Sequence, residues 1–183
     1  RNGEGIPIQN PYAYGNAWFV KNVSYVANAN EEIETLYDIN PRETAVVDKR
    51  FEETLKSVTT TNTDSLASIT RTSYSPNHLV YETTNENDGI AIFSEIYYPD
   101  GWQVTIDGQP ATLARANYIL RALQLPAGKH VVEMRFDPQS LHLTEGIAYG
   151  ALVLLLIGVI AAICLTYKKK NRSYLHKQER LSQ

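Results

Sequence analysis

Residues 147–167 read IAYGALVLLLIGVIAAICLTY, 21 residues without a charge. As a helix rising about 1.5 Å per residue, the run is roughly 30 Å long, the thickness of a bilayer's hydrocarbon core. Tyr149 and Tyr167 stand near its two ends, where amphipathic rings prefer the membrane interface. A buried core helix of this length carries a polar stripe, and this run has none. The segment therefore predicts a transmembrane helix. Its place near the C-terminus excludes a signal peptide, and the basic residues behind it exclude a GPI signal.

The span divides the charge. The whole chain has 17 Lys and Arg against 20 Asp and Glu, a net of −3. Behind the span, Lys168, Lys169, Lys170, Arg172, Lys177 and Arg180 face only Glu179, a net of +5. Ahead of it eleven basic residues face nineteen acidic ones, a net of −8. Three lysines directly behind an apolar run match the positive-inside rule. The expected organisation is an extracytoplasmic domain over 1–143, a transmembrane helix over 144–167 entered through a short linker at Thr144-Glu145-Gly146, and a basic cytoplasmic tail over 168–183. The tail is expected to serve as a topology anchor, with contact to anionic lipid as the alternative role. An exported domain needs a signal, and the chain opens at Arg1. The expectation is that it is the C-terminal piece of a longer membrane protein.

Ahead of the span the pattern is mainly β. Asn10-Pro11 and Tyr14-Gly15 mark an irregular opening, and residues 17–20 and 23–26 read as one aromatic, β-branched strand. Asn30 is the expected N-cap of a short helix with Glu31, Glu32 and Glu34 in its first turns. Ile33, Leu36 and Tyr37 form its apolar stripe. Residues 45–47 read as a short buried strand, and Phe51 with Leu55 as a further helical turn. Residues 57–65, SVTTTNTDS, are a loop or an exposed strand. Strands are expected over 65–74, 79–84 and 89–96, the last nearly all apolar, as in a central strand. Trp102, Val104 and Ile106 alternate with polar residues, the period of a half-buried strand, which makes Trp102 a core residue. Asp107-Gly108 is a hairpin turn, followed by strands over 120–125 and 132–136. Strands spaced in this way predict an antiparallel β-sandwich with one or two short helices, followed by the single C-terminal transmembrane helix.

Few residues of the sequence fall into a pattern that carries chemistry. The histidines, His78, His130, His142 and His176, have no partner at helical spacing, and there is no HExxH, nucleophile elbow or phosphate-binding glycine loop. A single cysteine, Cys164, excludes a disulfide framework and a multi-cysteine zinc site. The mild net charge gives no support for nucleic-acid binding. No catalytic residue, metal ligand or cofactor is assigned. Asp100 and Asp107 read as turn carboxylates. Glu95 lies within an apolar strand, where a carboxylate is costly unless paired, and Arg121 is its expected partner in a buried ion pair. Tyr97, Tyr98 and Trp102 flank the turn Pro99-Asp100-Gly101 and are the candidate contacts for a sugar ring, as stacking aromatics are.

Three spaced runs carry a resemblance: Gly15-Asn-Ala-Trp-Phe-Val; Phe93-Ser-Glu-Ile-Tyr-Tyr-Pro-Asp-Gly-Trp with Ile106-Asp-Gly; and Ala116-Asn-Tyr-Ile-Leu-Arg-Ala-Leu followed by Pro126-Ala-Gly-Lys-His. From Asn10 to about Tyr167 the chain resembles the C-terminal region of the YfhO-like bacterial membrane proteins, particularly those of Bacteroidetes. The resemblance implies a large polytopic parent of the GT-C glycosyltransferase type, acting on cell-envelope polymers with lipid-linked sugars. In such folds the catalytic acids lie in an early extracytoplasmic loop, which this sequence lacks. It implies membrane lipid, the rest of the parent and a cell-envelope glycan as partners, and the bacterial cytoplasmic membrane as the location, with the domain periplasmic or otherwise extracytoplasmic. Two alternatives stand beside it: a stand-alone membrane-anchored module binding glycan or protein, and part of a lipid-linked sugar transporter.

Overall fold

The computed structural model describes residues 10–61 and 66–181. Part of the Thr-rich reading, 62–65, lies outside the described residues. The chain forms two compact units, Arg1–Asp137 and Pro138–Gln183.

The first unit contains eleven strands among the described residues: β1 (Ala17–Val20), β2 (Asn22–Val26), β3 (Thr44–Asp48), β4 (Ser68–Ser75), β5 (His78–Asn85), β6 (Gly89–Ile96), β7 (Trp102–Ile106), β8 (Gln109–Ala111), β9 (Ala114–Ala116), β10 (Leu120–Leu125) and β11 (Gly128–Phe136), antiparallel in both larger sheets. One four-stranded sheet runs β1-β6-β10-β9, and a five-stranded sheet runs β4-β5-β11-β7-β8. Their facing sides share one apolar core, with Ala91, Phe93, Leu123 and Leu125 from the first sheet against Leu79, Tyr81, Val132 and Met134 from the second. This is the expected antiparallel sandwich.

A third layer covers the outer face of the four-stranded sheet. Val20, Ile90, Ile92 and Ala122 pack there against Val23, Ala45, Val47 and Leu55. The layer consists of β2 and β3, the helix α1 (Ala29–Thr35) and two 3-10 turns, Lys49–Phe51 and Glu53–Leu55. Strand β6 is thus buried on both faces, which is why Gly89–Phe93 reads as an unbroken apolar run.

The structure corrects the sequence reading at four places. Residues 17–26 are two strands in different sheets, because Lys21 turns the chain from the four-stranded sheet into the third layer. β2 and β3 pair in parallel, since α1 carries the chain back between them. The cap of α1 is Asn28, not Asn30: the Asn28 side chain accepts from the Asn30 and Glu31 N–H groups. The buried face of α1 is not the apolar stripe, for Ile33 is 40% and Tyr37 85% exposed while Glu32 is fully buried.

Asp107 and Gly108 form the two-residue turn between β7 and β8, with Ile106 paired to Gln109. Both take positive φ, 51° and 79°, as a twist-matched hairpin turn requires.

The second unit is one helix, α2 (Gln139–Leu181). Its stretch Leu143–Lys169 is long and apolar enough to cross a membrane, and its most apolar window has no side chain buried within the protein. The linker expected at 144–146 is helical, and the basic tail continues the same helix. Between Pro138 and Leu181 there is no further proline, and the residues behind Tyr167 include good helix formers such as Lys, Leu and Gln.

Candidate functional site

The loop from β6 to β7 carries the sequence Tyr97-Tyr98-Pro99-Asp100-Gly101. Gly101 takes a φ of 107°, and that lets the chain reverse so that Trp102 begins β7 opposite Phe136 of β11. The Trp102 ring lies 5.3 Å from Phe136, and Tyr98 lies 6.4 Å from the same ring. The structure brings Tyr97, Tyr98 and Trp102 together along one groove of about 390 Å3, closed on its other side by Pro110, Ala111 and Leu113. That volume lies within the range of small-ligand sites. Tyr98 is 52% exposed, whereas Trp102 is half-buried and packs against the sandwich core. The groove contains no Asp, Glu, Lys, Arg or His side chain. Its polar groups include Gln103, Thr112 and Thr105, and the buried Thr105 hydroxyl has no hydrogen-bond partner among the described residues.

Beneath the groove lies Arg121, buried inside the sandwich. Its guanidinium carbon sits 4.0 Å from the centroid of the Trp102 ring, a cation–π contact in a desolvated setting. Its Nε–H donates to the Ile96 carbonyl at 3.0 Å, and Nη1 reaches Met134 Sδ at 3.5 Å. Burial pushes the Arg121 pKa down, and the nearby Glu95 charge opposes that shift. The contact partner of Glu95 is Arg71, at 3.4 Å, rather than Arg121. A β-bulge between Leu120 and Arg121 sets Arg121 opposite Phe93 and not opposite Glu95, and the guanidinium turns under Trp102. Glu95 also accepts from the Tyr81 hydroxyl at 3.4 Å. Burial first, and the Glu95 charge second, push Tyr81 up to about 12.

Three polar clusters escaped the sequence reading. Fully buried Glu32 meets Arg115 Nη2 at 2.6 Å and accepts the Tyr118 backbone N–H at 2.8 Å. His130 Nδ1 lies 2.6 Å from Asp107 Oδ2, and Asp107 Oδ1 accepts the Val131 N–H at 2.8 Å. His78 Nε2 lies 2.7 Å from Glu133 Oε1, which Arg135 also reaches at 2.9 Å. These partners are 83, 23 and 55 residues apart in the chain, so no local spacing announces them. Among the described residues no group of three or more His, Cys, Asp or Glu side chains converges as a metal site would require. The groove thus presents aromatic side chains and neutral polar groups, with Trp102 backed by the Arg121 guanidinium.

A family model described as bacterial membrane protein YfhO matches residues 22–148. No curated protein and no solved structure matches the chain.

Proposed function

Because the chain belongs to the family of the bacterial membrane protein YfhO, we propose that it is the non-catalytic C-terminal part of a larger membrane protein acting in glycosylation of cell-envelope polymers with lipid-linked sugars. In this reading the sandwich is extracytoplasmic, the helix beyond it is the last span in the cytoplasmic membrane, and the tail from Lys168 is cytoplasmic. The domain positions a glycan acceptor and leaves the chemistry to the rest of the parent.

The observation that carries the reading is the groove walled by Tyr97, Tyr98 and Trp102. Aromatic faces stack on the apolar C–H faces of a sugar ring, and Gln103 and Thr112 suit its hydroxyls. With no carboxylate or imidazole on its walls, the groove lacks the acid/base pair that transfer or hydrolysis needs.

The test is a titration of the whole chain in lipid nanodiscs with a panel of envelope oligosaccharides, followed by calorimetry. The expected result is saturable binding to one glycan class, weakened about tenfold by Tyr98→Ala, a loss of the size expected for one aromatic contact. Tyr98 is exposed, so that variant keeps its fold. Unchanged binding by the variant, or turnover of the glycan by the chain alone, would overturn the reading.

A further inference from the structure

The loop between β9 and β10 is held in a conformation that Tyr118 does not favour. Asn117 and Tyr118 both take positive φ, 49° and 71°. A bulky aromatic residue there is strained, and such strain persists only where its surroundings over-determine it. Glu32, the fully buried carboxylate bound to Arg115, accepts the Tyr118 N–H. Asn117 is pinned at both ends to Val46, donating its N–H to the Val46 carbonyl at 2.8 Å and accepting the Val46 N–H on its side chain at 2.9 Å.

This investment turns apolar side chains outward. Tyr118 is 39% and Ile119 48% exposed, and next to them Ile96 is 66% exposed. The three are neighbours: Leu120 pairs with Ile96, and the Tyr97 N–H donates to the Ile119 carbonyl at 2.7 Å. Together with Phe51 and Arg50 they line a second cleft of about 490 Å3. The Arg50 guanidinium lies 4.9 Å over Phe51, and its side chain is 56% exposed although Asp48 lies 3.4 Å away. An exposed apolar edge beside a cation is an interaction surface.

Its place in the domain identifies the occupant. β6 ends, β10 begins and β11 ends at this edge, as the pairings Ile96–Leu120 and Trp102–Phe136 require. The Asp137 N–H then donates to the Gly101 carbonyl at 2.7 Å, so the chain leaves the domain here. The stretch long and apolar enough to cross a membrane begins at Leu143, and a connection that short spans no more than about 20 Å even when fully extended.

We propose that this edge, Ile96, Tyr118 and Ile119, rests in the interfacial layer of the lipid bilayer. The aliphatic tips enter the boundary between headgroups and acyl chains. The Tyr118 hydroxyl stays at the wet side, as interfacial tyrosines do. Arg50 meets the lipid phosphates.

The experiment uses the full chain with Cys164→Ser, in nanodiscs containing lipids that carry a nitroxide near the headgroup. Single cysteines replace Ile119 or, at the opposite end of β11, Lys129, and each is labelled with a fluorophore. The label at 119 should be quenched several-fold more strongly by the nitroxide lipid than the label at 129, and protected several-fold from aqueous iodide. Equal quenching of the two labels overturns the proposal. So does protection from iodide without quenching by lipid, which means a protein cover. Circular dichroism verifies the fold of each variant, and a label at Ile96 repeats the measurement should the 119 variant fail to fold.

Discussion

Glu32→Ala removes the one charged group on the buried side of α1, and the structure sets the size of its effect. The carboxylate is fully buried, bound to Arg115 at 2.6 Å and to the Tyr118 N–H at 2.8 Å. Breaking a buried ion pair by deleting one partner costs about 3–5 kcal/mol, because the other charge stays buried without compensation. Arg115 keeps a second carboxylate, Asp48, at 3.8 Å, which pulls the value toward the lower end. Losing the acceptor for a backbone N–H in a strained loop adds to it. The expected loss is about 3 kcal/mol, a factor of about a hundred in the folded-to-unfolded ratio. Glu32→Gln, which keeps the shape and an acceptor, should cost less than half of that. The assay is urea unfolding of the full chain in detergent, followed by fluorescence of Trp18 and Trp102, with the denaturant slope compared to verify that the same surface unfolds. Adding Arg115→Ala to the Ala variant should restore part of the stability, since the orphaned charge goes with it. A Glu32→Ala protein within 1 kcal/mol of the parent would refute the reasoning, and would mean that the third layer is held by its apolar contacts alone.

Trp102→Ala should cost about 3 kcal/mol by the same assay, since the half-buried ring packs on Phe136 and covers the Arg121 guanidinium; a loss below 1 kcal/mol would make the ring a surface group. The His130–Asp107 pair gives a pH signature. Hydrogen bonding to Asp107 first, and to the Ala127 carbonyl second, raises the His130 pKa above its ordinary 6.5, so this contribution is complete below that value and fades as pH rises through the raised folded-state value. Asp107 is held below its ordinary 3.8 by His130 and the Val131 N–H, so its contribution is present above that value and fades only as pH falls through the lowered one. The melting-temperature gap between the parent and His130→Gln should therefore be widest between the ordinary values of Asp107 and His130 and shrink as pH rises through the raised His130 value; a gap independent of pH excludes the pair. For topology, protease applied to the outer face of the membrane should spare the tail from Lys168 and reach the sandwich, as the +5 tail behind a −8 domain requires; the opposite pattern reverses the orientation.

Much of this protein is legible from neighbouring residues alone. An uncharged run of 21 residues makes a helix long and apolar enough to cross a bilayer. Alternation along β7 and β11, the continuous apolar run of β6 and the Asp107-Gly108 turn identify strands and a hairpin, because side-chain direction in a strand depends only on the parity of sequence position. Tyr97, Tyr98 and Trp102 share a groove because one short loop carries the two tyrosines directly into the strand that Trp102 begins. What local pattern leaves open is which elements meet. Ile33 and Tyr37 carry the helical apolar spacing, yet the fold turns them to water and buries Glu32. That choice depends on Arg115, 83 residues away, since a carboxylate loses its hydration favourably only where a cation and backbone N–H groups replace it. The parallel pairing of β2 with β3, the third layer on β6 and the placement of Arg121 under Trp102 rather than against Glu95 are likewise decided by contacts between distant segments. A sequence displays periodicity residue by residue, whereas the energy of a buried charge belongs to the pair, and the pair exists only once the chain has folded.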